Sequence, residues 1–194
     1  MANNCPGEGL DNLEVHQIKS SWSQGNITQG IFLDVSAAFD KCWHLGLLAK
    51  LNQVSVEGKC YDLFASYLTN RKQCVVINNC KSNFKDIEAG VPQGSRLGPL
   101  LWILYAQDII DNLESEVLLF ADDTSIFSSS KDPAETAEIL NRDLARIEKW
   151  AKDWKVTFNP GKSKDMIFSN KHLSNSPLLF LMGLLSTGYR NINT

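Results

Sequence analysis

Two apolar runs in this chain of 194 residues end in aspartate. Gly30-Ile-Phe-Leu-Asp34 reads as a short buried strand that delivers Asp34 at its end. Val117-Leu-Leu-Phe120 and Thr124-Ser-Ile-Phe127 read as two extended segments flanking Asp122-Asp123. If these strands are sheet neighbours, their carboxylates converge. Hard divalent cations want such oxygens, and magnesium is usually held by one or two carboxylates plus substrate phosphates. The competing reading is a solvated hairpin, because Asp favours turns. Adjacent residues on a regular strand face opposite ways, so the aspartate pair is expected to occupy the turn itself.

The remaining pattern alternates helices and hairpins. Residues 1–26 hold at most one short amphipathic helix, and Ser36 to Leu51 reads as a helix. Asp62 to Leu68 reads as another, followed by a β-hairpin from Gln73 through Asn78-Asn79 to Ala89. Gly90-Val-Pro-Gln-Gly-Ser95 breaks the pattern before an apolar helix that runs from beyond Pro99 to about Asp111. Asp132-Pro-Ala-Glu135 supplies an N-cap, a first-turn proline and a capping-box carboxylate. The helix it starts carries Leu140, Leu144, Ile147, Ala151 and Trp154 near the helical period. Asn159-Pro-Gly161 then turns the chain into the strand Met166-Ile-Phe168. This order predicts an α+β domain, with helices packed on one face of an antiparallel sheet.

Composition removes several classes. Hydrophobic residues at 43% and charged residues at 21% exclude global disorder. The formal charge of −3 is less basic than a free-standing nucleic-acid binder normally carries. The basic balance is local: Lys149 to Lys171 holds six lysines against Asp153 and Asp165, a face that could follow a phosphate backbone or simply be solvated. Trp150 and Trp154 read as core rather than as a stacking platform. Cys5, Cys42, Cys60, Cys74 and Cys80 form no Cys-x-x-Cys pair, which argues against zinc and against a disulfide framework. Reduced cysteines, no membrane-spanning run and no signal pattern predict an intracellular protein, nuclear or cytoplasmic.

Three long motifs resemble one family. Phe32-Leu-Asp-Val-Ser-Ala-Ala-Phe-Asp40, Gly90-Val-Pro-Gln-Gly-Ser-Arg-Leu-Gly-Pro-Leu100 and Phe120-Ala-Asp-Asp-Thr124 are similar, in order and spacing, to core motifs of reverse transcriptases of non-LTR, LINE-type (jockey-like) retrotransposons. Trp154 to Lys162, running into Met166-Ile-Phe168, resembles a fourth. Ser176 to Gly183 resembles the strand that follows the palm. The resemblance implies a polymerase palm-type sheet and an RNA-directed DNA polymerase that transfers a deoxynucleotide to a primer 3′-hydroxyl. It makes Asp34, Asp122 and Asp123 the holders of two magnesium ions, with manganese as a substitute. Lys162 becomes the group that orients or protonates leaving pyrophosphate. Val35 lies where the family's triphosphate meets the main chain, Phe39 matches the aromatic that crowds the sugar 2′ position, and Gln93 contacts template and nucleotide beside Gly94. Asp40 and Asp108 also recur in the pattern and read as structural.

The implied partners are an RNA template, a DNA primer, deoxynucleoside triphosphates and the rest of a polyprotein carrying fingers, thumb and endonuclease. About 30 residues precede Asp34, and after Gly183 the chain leaves the family pattern. The expectation is a single truncated domain over 1–194: a divergent remnant at 1–26, a palm core at 27–170, and the post-palm strand and tail at 171–194. It would be weak or inactive alone. The alternatives are a non-catalytic relic or domesticated binding module, and another phosphoryl-transfer enzyme such as an RNA-templated RNA polymerase or a nuclease. Phe39 argues against ribonucleotide use, and a nuclease has no evident need of Pro92-Gln-Gly94.

Overall fold

Ile27–Asp34 forms β1 and is paired on both sides, in a sheet of order β6-β7-β1-β8. The other strands are β6 (Glu116–Phe120), β7 (Asp123–Ser130) and β8 (Lys164–Phe168), and every neighbouring pair is antiparallel. The computed structural model of the chain describes residues 16, 18–92 and 94–169, and the backbone of β9 (Leu179–Leu181) and β10 (Leu184–Ser186). It divides into two compact units. The first is the sheet with α6 (Pro133–Asp153) as far as Trp150, and the second spans Ser36–Ile109 with Ala151–Thr157.

Strand alternation sorts the residues of β1 onto two faces. Gln29, Ile31 and Leu33 share one face, which α6 covers: the Thr136 hydroxyl donates to Gln29 Oε1 at 3.3 Å. Ile31, Leu33, Ile126, Leu140, Leu144 and Ile147 are all buried, so the predicted stripe of α6 is core as far as the helix runs. Gly30, Phe32 and Asp34 share the other face. A Cβ at Gly30 would lie 2.6 Å from the Phe127 ring, so only glycine lets that ring lie flat on the strand. Phe32 meets Phe127 edge-on at 5.6 Å, and Ile18 and Trp22 of the short helix α1 (18–23) close this face. Asp132 caps α6 as expected, its Oδ1 accepting the Ala134 N–H at 2.9 Å. The Glu135 carboxylate does not complete a capping box; it accepts from the Ser130 hydroxyl instead.

In the second unit the predicted helix Ser36–Leu51 is two helices, α2 (Ala38–Lys41) and α3 (His44–Gln53). The break has a backbone cause. Cys42 O accepts from Gly90 N–H at 2.8 Å, Phe39 O accepts from Val91 N–H at 2.7 Å, and Trp43 bridges Ala89 in extended conformation. The segment 88–91 thus takes groups that a continuous helix would use internally. Gly90 permits this with φ +92, its Cβ position lying 2.8 Å from Asp40 O. The helix expected at Asp62 begins earlier, as α4 (Gly58–Leu68). The next helix, α5 (Leu97–Ala106), also starts before Pro99, because a first-turn proline has no needed N–H to lose. It tightens into a 3₁₀ turn at Gln107–Ile110.

The predicted hairpin is present as two nested ladders, β2 (Lys72–Gln73) with β5 (Lys85–Asp86) and β3 (Val76–Ile77) with β4 (Cys80–Lys81). Asn78 and Asn79 both take positive φ at its tip, the requirement of a type I′ turn. A buried charge organises the helices. Lys50 of α3 donates to Tyr105 O at 2.5 Å and to the Asp108 carboxylate, and lies 3.9 Å from the Trp154 ring. Asp108 is therefore structural, as its sequence position suggested. Trp154 lies one residue past the end of α6 rather than on its stripe.

Candidate active site

The β1–β7 register sets Asp34 directly opposite Asp123. Directly opposed residues of antiparallel strands share a face. Both carboxylates therefore belong to the face away from α6, where Asp34 is 35% exposed and Asp123 is exposed. Phe120 pairs with Asp123, which leaves Ala121 and Asp122 as a two-residue turn. Ala121 takes φ 55, a left-handed conformation that costs an alanine roughly 1 kcal/mol. The aspartate pair is thus split: Asp122 occupies the turn, while Asp123 is the first residue of β7. That corrects the expectation that both sit in the turn.

Three carboxylates at one strand end repel. The Asp123 carboxyl is raised above its ordinary value, first by partial burial and then by the charges of Asp122 and Asp34. A divalent cation relieves that repulsion, and the donors are all hard oxygens, so the residues suit magnesium or manganese. Among the described residues no three His, Cys, Asp or Glu side chains stand close enough together to hold a metal ion.

Lys162 approaches from the loop before β8, its Nζ 4.0 Å from Asp34 Oδ2 and its side chain 70% exposed. That loop is tied to Asp34 itself: Asp34 O accepts from Asn159 N–H at 2.8 Å and Asp34 N–H donates to Ser163 Oγ at 3.1 Å. Val35 is buried and bridges Phe158. Phe39 lies in the second unit, half-buried, its ring 6.3 Å from Trp102. It lines a cleft of about 380 Å³ with Pro92, Gly94, Ser95, Arg96 and Pro99. Gly94 has φ +79, which suits glycine, and Gln93 lies outside the described residues.

Two of the lysines of 149–171 have local partners: Lys155 covers the Trp43 ring at 3.8 Å and Lys164 donates to Gly161 O at 3.2 Å. Sequence reading missed Ser163 and Asn159, whose roles depend on what lies across the sheet. It also missed Lys50, although three residues from Leu47 is a buried helical spacing.

The family model for reverse transcriptase (RNA-dependent DNA polymerase) matches residues 6–184. The chain belongs to the reverse transcriptase family. Among the relatives of this chain, the RNA-directed DNA polymerase of mobile element jockey from Drosophila funebris is 37% identical over 147 residues. That match covers 72% of this chain and 16% of the relative. The probable RNA-directed DNA polymerase of transposon X-element from Drosophila melanogaster is 32% identical, over 91% of this chain and 20% of the relative. The chain thus spans about a fifth or less of the length of these non-LTR relatives. A solved apo telomerase from Candida tropicalis superposes with TM-score 0.64 at 13% identity, covering 91% of this chain and 34% of the telomerase. That likeness gives the fold, a palm-type sheet with helices. No helix among the described residues is long and apolar enough to cross a membrane.

Proposed function

We propose that residues 27–170, within a single domain over 1–194, are the palm core of an RNA-directed DNA polymerase from a non-LTR mobile element, weak or inactive alone. It would join deoxynucleotides to a primer 3′-hydroxyl on an RNA template, within a larger polyprotein. The observation that carries this reading is the Asp34–Asp123 pairing, with Asp122 in the turn between β6 and β7. Asp34, Asp122 and Asp123 would hold two magnesium ions, or manganese in their place. Bound there, the ions lower the pKa of the attacking hydroxyl and neutralise charge on the triphosphate.

The chain's own residues do the rest. The pleat of β1 and β7 keeps two carboxylates on one face, and the short turn limits where Asp122 can move. The exposed ammonium of Lys162 is available to meet charge developing on the leaving pyrophosphate. By the family resemblance, Val35, Gln93 and Gly94 would contact nucleotide and template, and Phe39 would crowd the sugar 2′ position.

Primer extension on an RNA template tests the reading, with deoxynucleotides and magnesium or manganese. Any extension should come from the parent alone: the Asp122→Asn, Asp123→Asn double variant should give none, while its melting temperature stays close to the parent's. Full activity in the double variant would sink the carboxylate assignment. A folded parent that extends nothing would leave the family membership standing and favour a palm that is inactive without fingers and thumb.

A further inference from the structure

We propose that Ser163 is a positioning residue for Asp34, acting through the main chain. Its catalytic consequence rests on the polymerase reading above. Phe32 pairs with Lys164 and Val35 with Phe158, so Leu33 and Asp34 face the five residues Asn159–Ser163. The β8 side of the ladder bulges out at the end of β1. In an antiparallel ladder a residue's N–H and C=O point to the same neighbour, and at Asp34 both point into this bulge.

The carbonyl finds a backbone partner in Asn159 N–H at 2.8 Å. The N–H meets a side chain instead, the Ser163 hydroxyl at 3.1 Å. That hydroxyl passes its own hydrogen to Asn159 O at 2.9 Å, and the same carbonyl accepts the Ser163 and Lys162 N–H groups at 2.9 and 3.2 Å. Ser163 is only 6% exposed, so water cannot readily replace it.

A hydroxyl both accepts and donates, which is what this position requires. Alanine would leave the Asp34 N–H orphaned beside the carboxylate that faces Asp123. One short side chain therefore holds the strand end carrying Asp34 and closes the loop that brings Lys162 to 4.0 Å from it. Small displacements of a reacting group lower rate more than they lower binding.

The test compares the full chain with Ser163→Ala and Ser163→Thr, reading amide exchange at Asp34 by NMR, and kcat and KM in primer extension. Ser163→Ala should speed Asp34 exchange about tenfold while Ile31 keeps its rate. It should lower kcat about tenfold with KM unmoved. Ser163→Thr should restore both. If Ser163→Ala does not fold, Ser163→Cys, which keeps the size and weakens the bond, takes its place. Unchanged Asp34 exchange without the hydroxyl would overturn the proposal, as would equal loss of turnover in the alanine and threonine variants. With a parent that extends no primer, the Asp34 exchange rate by itself decides the anchor.

Discussion

Phe39 and Asp34 pose different questions at the scale of single residues. Asp34 needs a partner across a strand, and the register supplies Asp123. Phe39 needs only volume: its ring lines the cleft that Gly94 and Arg96 share. If it screens the sugar, Phe39→Val should relax discrimination against ribonucleotides by about tenfold or more, the scale of a lost apolar contact. Steady-state incorporation of matched deoxy- and ribonucleotides measures this, and an unchanged ratio refutes the gate. Ala121 holds φ 55, a conformation that a non-glycine residue keeps only where the surrounding turn determines it. Nothing in the letters Ala-Asp-Asp signalled that conformation, since the strain arises from closing β6 onto β7 in two residues.

Secondary elements here are joined by polar groups as much as by apolar faces. Lys50 links α3 to α5 and the following 3₁₀ turn through Tyr105 O and Asp108. Lys50→Met should cost about 2–4 kcal/mol, because a buried pair is broken while Asp108, 27% exposed, can rehydrate. Asp108→Asn in the same chain should then add little. Urea unfolding of the two single variants and the double gives the coupling, and additive costs would count against the pair.

A second link joins α6 to the segment before β6, where buried Asp143 accepts the N–H groups of Glu114 and Ser115 at 3.0 and 2.7 Å. Hydrogen bonds from Arg142 and then Arg146 pull the Glu114 carboxyl from its ordinary 4.5 down to about 2. A lowered folded value means that its contribution is present above about pH 4.5 and lost as pH falls towards 2. Parent and Glu114→Gln should therefore differ in melting temperature at pH 6 and converge near pH 2. The gap should be small and should shrink with salt, because the group is exposed. A gap that widens on acidification would contradict the sign.

Across the whole molecule a formal charge of −3 coexists with a local excess of lysines over residues 149–171. Binding of primer–template should accordingly be weak and steeply salt-dependent. Lys162→Gln should reduce the slope of log affinity against log salt by at most about one. Fluorescence anisotropy across a salt series measures it, and a slope indifferent to salt would exclude phosphate contact as the source of affinity.

Three motifs and the hydrophobic periods were enough to read the α+β class, the reverse transcriptase family, the strand ending at Asp34 and the helix starting at Pro133, because each rests on neighbours in the chain. Apolar spacing and capping are local, and they appear directly in the order of residues. Tertiary structure decided that Ser36–Leu51 breaks at Cys42 and Trp43, because residues 88–91 take its backbone groups. It decided that Lys50 is buried and that Asp123 rather than Asp122 faces Asp34. It also placed the Ser163 hydroxyl on the Asp34 amide across 129 residues of sequence. Each of these depends on which strand or segment lies alongside, and pairing over such distances leaves no periodic trace in a single sequence.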